Sequence, residues 1–447
     1  MKKVHVWTTY GEGSFREQLR QEILFSEDSG VEEQVINLYP DQRFEVFEGF
    51  GGAVTDAAGY VYSLMSEEQK KELVKTYFSK EQMNYSMVRV HIDSCDFSTC
   101  MYEAVSDEMD TEFETFSFAR TEKYILPFLE DIKKYSGKQV CLMLSPWSPP
   151  AFMKTNGSRI RGGELKPEFR KLWAEYICRY IKEFQDRGFI VNRISIQNEP
   201  HAAQPWDSCL YTAEQEKEFL RDFLYPAFQT HGFSKVEIFI WDHNKERLFE
   251  RMCAVIDEET ERMVSGAAFH WYSGDHFEAL SLARQRFPDK KLIISESCIE
   301  NSKFGGKDQI MNAQRLSHEI IGDMNHGMTA FYDWNLLLDE KGGPNHVGNF
   351  CQAPFLFDTQ ENILVPQLIS QYFEHFSREI IKGSVRIGFS RYTDEIDVTA
   401  FERPDGKRIV ITLNRSEKML PVNLRMEGLC AAFVLPPKSI ATGIISE

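Results

Sequence analysis

The chain has 447 residues, of which 42% are hydrophobic, and a formal net charge of −17 at pH 7 with a pI of about 5.3. This length supplies enough apolar residues for one large core and a second, smaller one. The negative charge argues against nucleic acid or an anionic membrane as the main partner, because both would repel such a surface. No apolar run reaches the roughly 18 residues of a membrane span, so we expect no integral membrane segment.

Cysteine usage and the N-terminal residues indicate a compartment. Nine cysteines are scattered between Cys95 and Cys430, and none forms a Cys-x-x-Cys pair. An odd number without paired spacing favours reduced thiols in a reducing compartment. The first seven residues include two lysines but no apolar core follows them, which predicts the absence of a signal peptide. We therefore expect a cytoplasmic protein.

Along most of the chain, apolar β-branched runs alternate with charged helical stretches. This alternation predicts repeated βα units and a parallel sheet. The predicted strands are residues 44–50, 87–92, 140–144, 193–196, 236–240, 266–269, 291–294 and 328–332. The predicted helices are residues 66–78, which open with the capping-box pattern Ser-Glu-Glu-Gln, 121–135, 167–187, 212–231 and 307–326. Eight such units over roughly 330 residues predict an α/β fold of the (β/α)₈ TIM-barrel type.

The two ends of the chain have a different pattern. From about Gly383 onward, short alternating strands are predicted at residues 385–389, 397–401, 408–413 and 432–435, separated by turns such as Pro-Asp-Gly. The first 40 residues contain similar pieces at 4–9 and 35–38. We therefore predict a catalytic barrel over residues 41–375 and one discontinuous antiparallel β-sandwich built from residues 1–40 and 376–447.

Two of the predicted barrel strands are followed by a glutamate. Glu199 closes the run Ile-Ser-Ile-Gln-Asn-Glu, and Glu296 closes the run Leu-Ile-Ile-Ser-Glu. Catalytic residues of parallel barrels lie at the carboxyl ends of the strands, so these two side chains should share one rim. Two carboxylates facing a common pocket are the groups that hydrolyse a glycosidic bond. A single glutamate at a strand end is more often a salt-bridge partner, and it is the pair that favours catalysis.

Other strand ends supply aromatic, acidic and amide side chains, a mixture suited to sugars because rings stack on C–H faces while carboxylates and amides bind hydroxyls. They are Arg89, Asp93, Asp96, Trp147, Asn198, Trp241, Asp242, His270, Trp271, Tyr272, Asp333, Trp334 and Asn335. His270 could equally be a packed core histidine. No His/Cys/Asp cluster has the spacing of metal ligands, and no Gly-rich run has the form of a phosphate site, so the sequence predicts neither a metal nor a cofactor.

A set of short motifs occurs in a fixed order. They are GFGGAVTDAA at 49–58, SCDFS at 94–98, SPWSPP at 145–150, KTNG at 154–157, NEP at 198–200, HWY at 270–272, SE at 295–296, DWNL at 333–336, GGPN at 342–345 and LNRS at 413–416. Together they closely resemble glycoside hydrolase family 30, in the glucosylceramidase branch. The resemblance extends from about Phe44 to the C-terminus, and although each motif alone is weak, the ordered set is specific.

The resemblance implies a barrel with an attached β-sandwich and a retaining mechanism. Glu199 matches the acid/base position and Glu296 the nucleophile. The positions that match sugar-binding residues are Arg89, Asp96, Trp147, Asn198, His270, Tyr272, Trp334 and Asn349. In retaining enzymes the two carboxyl groups lie about 5–5.5 Å apart. We expect proximity to the charge of Glu296 and partial burial to raise the pKa of Glu199.

Several functions remain open from sequence. An exo-acting β-glucosidase or glucosylceramidase leads, and a β-xylosidase, a β-fucosidase or a β-1,6-glucanase are alternatives within the family. A non-catalytic carbohydrate-binding barrel and a redox barrel are alternatives of other classes. The expected partner is a small glycoside or short oligosaccharide, with a glycolipid also possible. Gln204, Trp206, His346 and Gly348 depart from the family pattern on the leaving-group side, so the leaving group is the least determined part.

Overall fold

The computed structural model describes residues 2–11, 17–304 and 308–446. In chain order its strands are β1 (Lys3–Tyr10), β2 (Glu17–Leu24), β3 (Ser26–Glu27), β4 (Val35–Val46), β5 (Gly49–Ala53), β6 (Met87–Ile92), β7 (Cys141–Pro146), β8 (Val191–Ser195), β9 (Glu237–Asn244), β10 (Gly266–His270), β11 (Lys291–Glu296), β12 (Ala330–Asn335), β13 (Leu338–Asp339), β14 (Phe355–Asp358), β15 (Ile363–Pro366), β16 (Val385–Arg391), β17 (Ile396–Glu402), β18 (Arg408–Asn414), β19 (Leu420–Met426), β20 (Leu429–Leu435) and β21 (Ser439–Ser446).

The α-helices are α1 (Asp56–Leu64), α2 (Glu67–Phe78), α3 (Leu126–Ser136), α4 (Arg170–Asp186), α5 (Ala213–Phe219), α6 (Tyr225–Thr230), α7 (Leu248–Val255), α8 (Phe277–Arg286), α9 (Asn301–Phe304), α10 (Gln309–Asn325) and α11 (Leu368–Ser377). Single π-helical turns, Thr121–Ile125 and Leu220–Leu224, lead directly into α3 and α6. In the described part of the chain, no helix has the length and apolar character needed to cross a bilayer.

Strands β5 to β12 form a closed, parallel eight-stranded barrel, which confirms the predicted fold class. Glycines allow the strands to approach closely. A Cβ on Gly51 would lie 2.2 Å from the backbone oxygen of Met87 on the neighbouring strand. The barrel interior is filled by buried side chains, namely Met87, Met143, Phe239, Ala268, Ile293, Ala330 and Tyr332. The barrel is therefore a packed core whose chemistry is confined to its ends.

Both ends of the chain contribute to a second, ten-stranded sheet in the order β2-β1-β21-β18-β17-β16-β4-β19-β20-β3. The first and last strands pair antiparallel, with Lys3 opposite Ser446. A separate apolar cluster fills the inside of this sandwich and includes Val6, Ile36, Val398, Val422 and Phe433. The predicted sandwich of both chain ends is thus present, together with strands β2, β3, β19 and β21 that the sequence patterns did not predict.

The predicted strand 44–50 is wrong in its bounds. Strand β4 runs from Val35 to Val46 and pairs with β16 in the sandwich sheet, whereas the first barrel strand begins only at Gly49. Residues 41–46 therefore lie in the sandwich sheet. Only two residues separate the end of β4 in the sandwich sheet from the start of β5 in the barrel. The apolar pattern of the sequence does not change between the two strands, so it gives no sign of the boundary. The other seven predicted barrel strands are confirmed with shifts of a few residues.

The predicted helices are confirmed in outline. Helix α2 begins with the predicted capping box between Ser66 and Gln69. The stretch predicted at 212–231 contains α5, a π turn and α6 in succession. Lys307, the first residue of the last predicted helix, lies outside the described residues, and α10 begins at Gln309. Helices α1, α7, α8, α9 and α11 were not predicted.

Helix α11 joins the barrel to the sandwich through His375. Its imidazole stacks on Trp7 of β1 with ring centroids 4.0 Å apart. Nε2 lies 2.8 Å from the hydroxyl of Thr9, and Nδ1 lies 2.8 Å from the hydroxyl of Thr442 on β21. Burial lowers the pKa of His375 to about 3, so the interface holds a neutral imidazole.

Candidate active site

Arg89, on β6, lies at the centre of the barrel mouth and is fully buried. Its guanidinium donates to the Glu296 carboxylate at 2.8 Å, to Asn198 Oδ1 at 2.8 Å and to Asp242 Oδ2 at 2.9 Å. Nε donates to the Ser145 hydroxyl at 3.0 Å. One planar cation thus links the ends of five strands or the loops directly after them, which explains why a buried arginine is stable there.

Glu296 is the last residue of β11 and is 8% exposed. One carboxylate oxygen accepts from Arg89, and the other accepts from the Tyr272 hydroxyl at 2.9 Å. Hydrogen bonds to both oxygens hold the carboxyl group in one orientation. An ionised carboxylate held at a fixed position is the form that a nucleophile requires.

Asp242 completes the charge balance, and the sequence patterns named it only as one of the rim residues, without a role in the site. It follows a positive-φ residue, Trp241, and has a positive φ itself. Its carboxylate accepts from Arg89, from the Ser195 hydroxyl and from the Ser295 hydroxyl. Burial raises its pKa, but the Arg89 charge and the nearby imidazole outweigh burial, so the net pKa lies well below the usual range. The sequence feature that pointed to Asp242 was its position two residues beyond the predicted end of the fifth barrel strand.

Glu199 lies four residues beyond the end of β8, with φ at 47°. Its backbone N–H donates to the Asp242 carbonyl at 2.9 Å, and the Asn198 N–H donates to the Pro146 carbonyl at 2.8 Å. These bonds continue the barrel beyond the regular strand and fix the carboxyl group at the rim. Strained backbone at Glu199 and Asp242 is of the kind that concentrates at functional sites.

Two imidazoles approach the Glu199 carboxyl group. Nδ1 of His270 lies 3.4 Å and Nδ1 of His243 lies 3.5 Å from Oε1, and Gln204 donates to Oε2 at 3.2 Å. Burial raises the pKa of Glu199, but contact with the two histidines outweighs burial and lowers its pKa well below the usual range. The expected rise in this pKa is therefore wrong for the substrate-free chain, because the sequence did not show His243 beside the carboxylate.

His270 lies between two carboxylates and is fully buried. Nε2 is 3.2 Å from Asp242 Oδ1, while Nδ1 faces Glu199. Burial lowers its pKa, but the charge of Glu296 and the contacts with Asp242 and Glu199 outweigh it, and its pKa is raised to about 9. His270 is buried, as a packed core histidine would be, but its ring lies between carboxylates.

The floor of the mouth is aromatic. Trp147 and Trp334 stack with centroids 5.4 Å apart and planes 21° apart, and the Arg89 guanidinium lies 4.8 Å and 5.4 Å from their ring centres. Beside them, Asn349 donates to the Asp96 carboxyl group at 3.1 Å. Burial and the charge of Glu296 raise the pKa of Asp96 well above its usual range. An indole, a carboxyl group and an amide together match one polyhydroxylated ring.

The structure thus places all ten sequence-predicted residues at one end of the barrel. It adds His243, and it shows that Asp242 and Gln204, named from sequence only as rim residues, contact them directly. It also brings together Glu199, His243 and His270 as three potential metal ligands. These come from the ends of three strands, so the spacing of ligands along the chain gave no sign of the group.

A parallel barrel whose mouth carries two carboxylates, a buried arginine and stacked indoles has the architecture of a carbohydrate hydrolase. Residues 47–380 match the glycosyl hydrolase family 30 TIM-barrel domain, and residues 383–443 match the family's beta sandwich domain. The chain therefore belongs to glycosyl hydrolase family 30, a family of O-glycosyl hydrolases.

Individual relatives agree with this assignment. The chain is 31% identical to the lysosomal acid glucosylceramidase of Mus musculus over 413 residues, covering 87% of this chain and 79% of the relative. It is 23% identical to an endo-1,6-beta-D-glucanase of Neurospora crassa over 397 residues, covering 84% and 80%. The crystal structure of SrfJ from Salmonella typhimurium superposes with a TM-score of 0.95 at 35% identity and covers 99% of both chains.

Proposed function

We propose that this chain is a retaining, exo-acting β-glucosidase of the glucosylceramidase type, with Glu296 as nucleophile and Glu199 as acid/base. The observation that carries the proposal is that the two glutamates have different hydrogen-bonding partners. Glu296 accepts hydrogen bonds from Arg89 and Tyr272 on both oxygens, whereas Glu199 faces imidazoles and a carboxamide at the rim. Two carboxyl groups in two environments support two roles in one reaction.

In the first step the ionised Glu296 attacks the anomeric carbon, and the bond from that carbon to the leaving oxygen breaks. Glu199 gives its proton to that oxygen, so a neutral alcohol leaves and a glycosyl ester forms on Glu296. A bound glycoside covers Glu199 and removes water from it, which raises its pKa toward the value that an acid needs. In the second step Glu199 takes a proton from water while the water oxygen bonds to the anomeric carbon and the ester bond to Glu296 breaks. The sugar leaves with its original configuration, and the Glu296 carboxylate and the protonated Glu199 are restored.

The terminal sugar is assigned to the floor of the mouth. Asp96 and Asn349 offer a carboxyl group and an amide side by side, and Trp147 and Trp334 supply a ring face. Asn198, tied to Arg89 at 2.8 Å, is the amide next to the nucleophile. These groups support one closed sugar subsite, which is what an exo-acting enzyme needs.

The leaving group is assigned to the rim loop beyond Glu199. Gln204 contacts Glu199 directly, and Trp206 packs, half-buried, against the aromatic cluster that includes Trp147 and Trp334. Trp206 could cover a second sugar or an alkyl chain. We favour a simple glucoside or short oligosaccharide as the substrate. The similarity to the mouse glucosylceramidase makes a glycolipid the alternative substrate to test.

An endo-acting β-1,6-glucanase is the second candidate, because a Neurospora crassa relative with that printed activity aligns over 84% of the chain. An endo enzyme needs room for sugar beyond the terminal subsite. Activity on a long β-1,6-glucan that releases oligomers rather than glucose would favour this candidate.

The test compares wild type, Glu296→Gln and Glu199→Gln on aryl β-glucoside, xyloside, fucoside and galactoside. We expect the glucoside to be the best substrate and Glu296→Gln to lose its turnover by several orders of magnitude. Glu199→Gln lacks the acid that protonates the leaving oxygen. It should form the glycosyl ester only from substrates whose aryl leaving group departs without protonation. Glu278→Gln, on the exposed face of α8, is the matched control and should behave as wild type. An active Glu296→Gln enzyme would refute the assignment of the nucleophile.

We also propose that the protein works in the cytoplasm. All nine cysteines are free thiols, including the half-buried or exposed Cys100, Cys141, Cys253 and Cys430. Unpaired thiols persist in a reducing compartment. Fractionation of the source cells with an activity assay tests this, and activity confined to the extracellular fraction would contradict it.

A further inference from the structure

Three potential metal ligands converge at the barrel mouth. Oε1 of Glu199 lies 3.4 Å from Nδ1 of His270 and 3.5 Å from Nδ1 of His243. One ligand atom from each of the three residues lies within 4.8 Å of those from the other two. Within residues 2–11, 17–304 and 308–446, no other set of three histidine, cysteine or acidic side chains meets this criterion.

The two imidazole nitrogens that face Glu199 lie within ion-pair distance of its Oε1 but make no hydrogen bond of ordinary geometry. Nδ1 of His243 and Nδ1 of His270 are both buried, and neither has a bond of ordinary geometry. The His270 side chain is fully buried, which makes an unpartnered polar atom on it costly. Both atoms are aimed at the same carboxylate oxygen, so a shared cation would satisfy both of them at once.

The surroundings of His270 match a metal ligand. Its other ring nitrogen, Nε2, lies 3.2 Å from Asp242 Oδ1. Metal-ligating histidines usually give their second nitrogen to a carboxylate, which fixes the ring and makes the ligating nitrogen more basic. Asp242 is itself held by Arg89 at 2.9 Å. The orienting contact that a metal site needs is therefore present.

Two of the three ligand separations fit Zn²⁺, and the third is within 4.8 Å. Zinc binds imidazole and carboxylate at about 2.0–2.2 Å, so two ligands of a tetrahedral site lie about 3.3–3.6 Å apart. The two ligand separations at Glu199 Oε1, 3.4 and 3.5 Å, fall in that range. Glu199 and His243 each leave about an eighth of the side chain accessible, 13% and 12%, so an ion can enter from the mouth. We propose that Glu199, His243 and His270 form a three-ligand Zn²⁺ site that inhibits the enzyme.

The inhibition follows from the position of the ligands and rests on the proposed function. An ion on Oε1 of Glu199 competes with the proton that the acid/base residue must carry, so Zn²⁺ and catalysis exclude each other. Cu²⁺ should bind this nitrogen-rich set at least as well as Zn²⁺, whereas Mg²⁺ and Ca²⁺ should not, because they prefer all-oxygen sites. Binding itself does not depend on the glycosidase assignment.

The first experiment measures Zn²⁺ binding by competition with a chromophoric chelator. A Cys100→Ser/Cys253→Ser background removes the two exposed thiols. We expect one tight equivalent that weakens about 100-fold or more in His243→Gln, because one of three ligands is lost. His231→Gln, an exposed histidine 2.6 Å from Glu175, is the matched control and should bind as the background does. Absence of the tight equivalent, or equal affinity in His243→Gln, would overturn the proposal.

A second measurement does not depend on any variant of the site. Co²⁺ added in place of Zn²⁺ should give the visible bands of a four-coordinate nitrogen and oxygen site. A strong near-ultraviolet thiolate band would instead place the metal on a cysteine and overturn the proposal. Loss of aryl glucoside hydrolysis with Zn²⁺, and its recovery with EDTA, then tests the inhibition. Tight binding without inhibition would leave the site standing and refute the role of Glu199 as acid/base.

Discussion

At the scale of single residues, the site depends on how charge is shared around Arg89. One guanidinium neutralises part of two buried carboxylates, Asp242 and Glu296, and also holds Asn198. Asp242 in turn contacts His270, which faces Glu199. Both catalytic candidates are therefore positioned by one connected network, and a change in one member is expected to displace the others.

Asp242→Asn tests this positioning role. Asparagine keeps the size of the side chain but removes the charge that orients Arg89 and His270. We expect kcat for an aryl glucoside to fall about 100-fold with a much smaller change in KM, because misplacement of the reacting groups affects the transition state most. Asp257→Asn, on the outside of the barrel, is the control. A kcat within a few-fold of wild type would show that Asp242 does not position the site.

The sequence predicted most of the site but not its contacts. Eight of the ten residues came from the ordered motifs, and Arg89 and Asn349 came from the family resemblance. Most of them follow barrel strands, whose carboxyl ends the parallel barrel places on one rim. The contacts of His243 and Gln204 with Glu199 were not predicted, since they form only when the barrel brings separate segments together. The predicted rise in the pKa of Glu199 was wrong for the same reason. Pairwise contacts between loops are not encoded in local periodicity.

At the scale of elements, a buried charge cluster fixes helix α10 against the barrel. Lys245 follows β9, is fully buried, and pairs with Glu319 and with Asp323 at 2.6 Å, both on α10. Nothing else in the described chain provides these two carboxylates with a charged lysine or arginine partner. Burial raises the pKa of Glu319 to about 9 and that of Asp323 to about 6, so near neutral pH Lys245 pairs chiefly with an ionised Asp323.

Lys245→Met removes that cation and leaves two buried carboxyl groups without it. We expect the free energy of unfolding to fall by about 3–5 kcal/mol, as is typical when one partner of a buried ion pair is lost. Urea unfolding followed by fluorescence measures the change. Lys217→Met, which breaks the surface pair with Asp257, should change stability very little. Equal stability of the two variants would contradict the account of α10.

The sequence also predicted whether a segment is a helix or a strand better than it predicted the first and last residues of that segment. Strand β2 was missed because its residues, Glu17–Leu24, are mostly polar and exposed and show no alternation. The boundary between β4 and β5 was misplaced because both strands are extended and only the sheet that each joins differs. Sheet membership is a tertiary property, which a single-strand pattern does not carry.

At the scale of the whole molecule, the sandwich is attached to the barrel through a neutral histidine. Burial lowers the pKa of His375 from its ordinary 6.5 to about 3. The unfolded chain therefore binds a proton between these two values that the folded protein does not. Stability from this group is fully present above pH 6.5 and is lost as the pH falls toward 3.

His375→Gln tests this linkage. Between pH 7 and pH 5, wild type should lose about 2 kcal/mol of stability through this histidine, and the variant should lack that part of the loss. Trp7→Phe alters the same interface but does not remove the titrating histidine. Its free energy of unfolding should therefore differ from that of wild type by the same amount at both pH values. Chemical unfolding at the two pH values provides the measurement. The same pH dependence in His375→Gln and wild type would contradict a neutral, buried imidazole.

The central claim is that Glu296 forms a covalent bond to the sugar. A 2-deoxy-2-fluoro-β-glucoside with a good leaving group slows the second step, so the intermediate accumulates. Peptide mapping by mass spectrometry after brief incubation is the most direct test. The account predicts one fluoroglucosyl group on the peptide that contains Glu296, with parallel loss of activity and no label in Glu296→Gln. A label on another residue, or turnover without any covalent adduct, would contradict it.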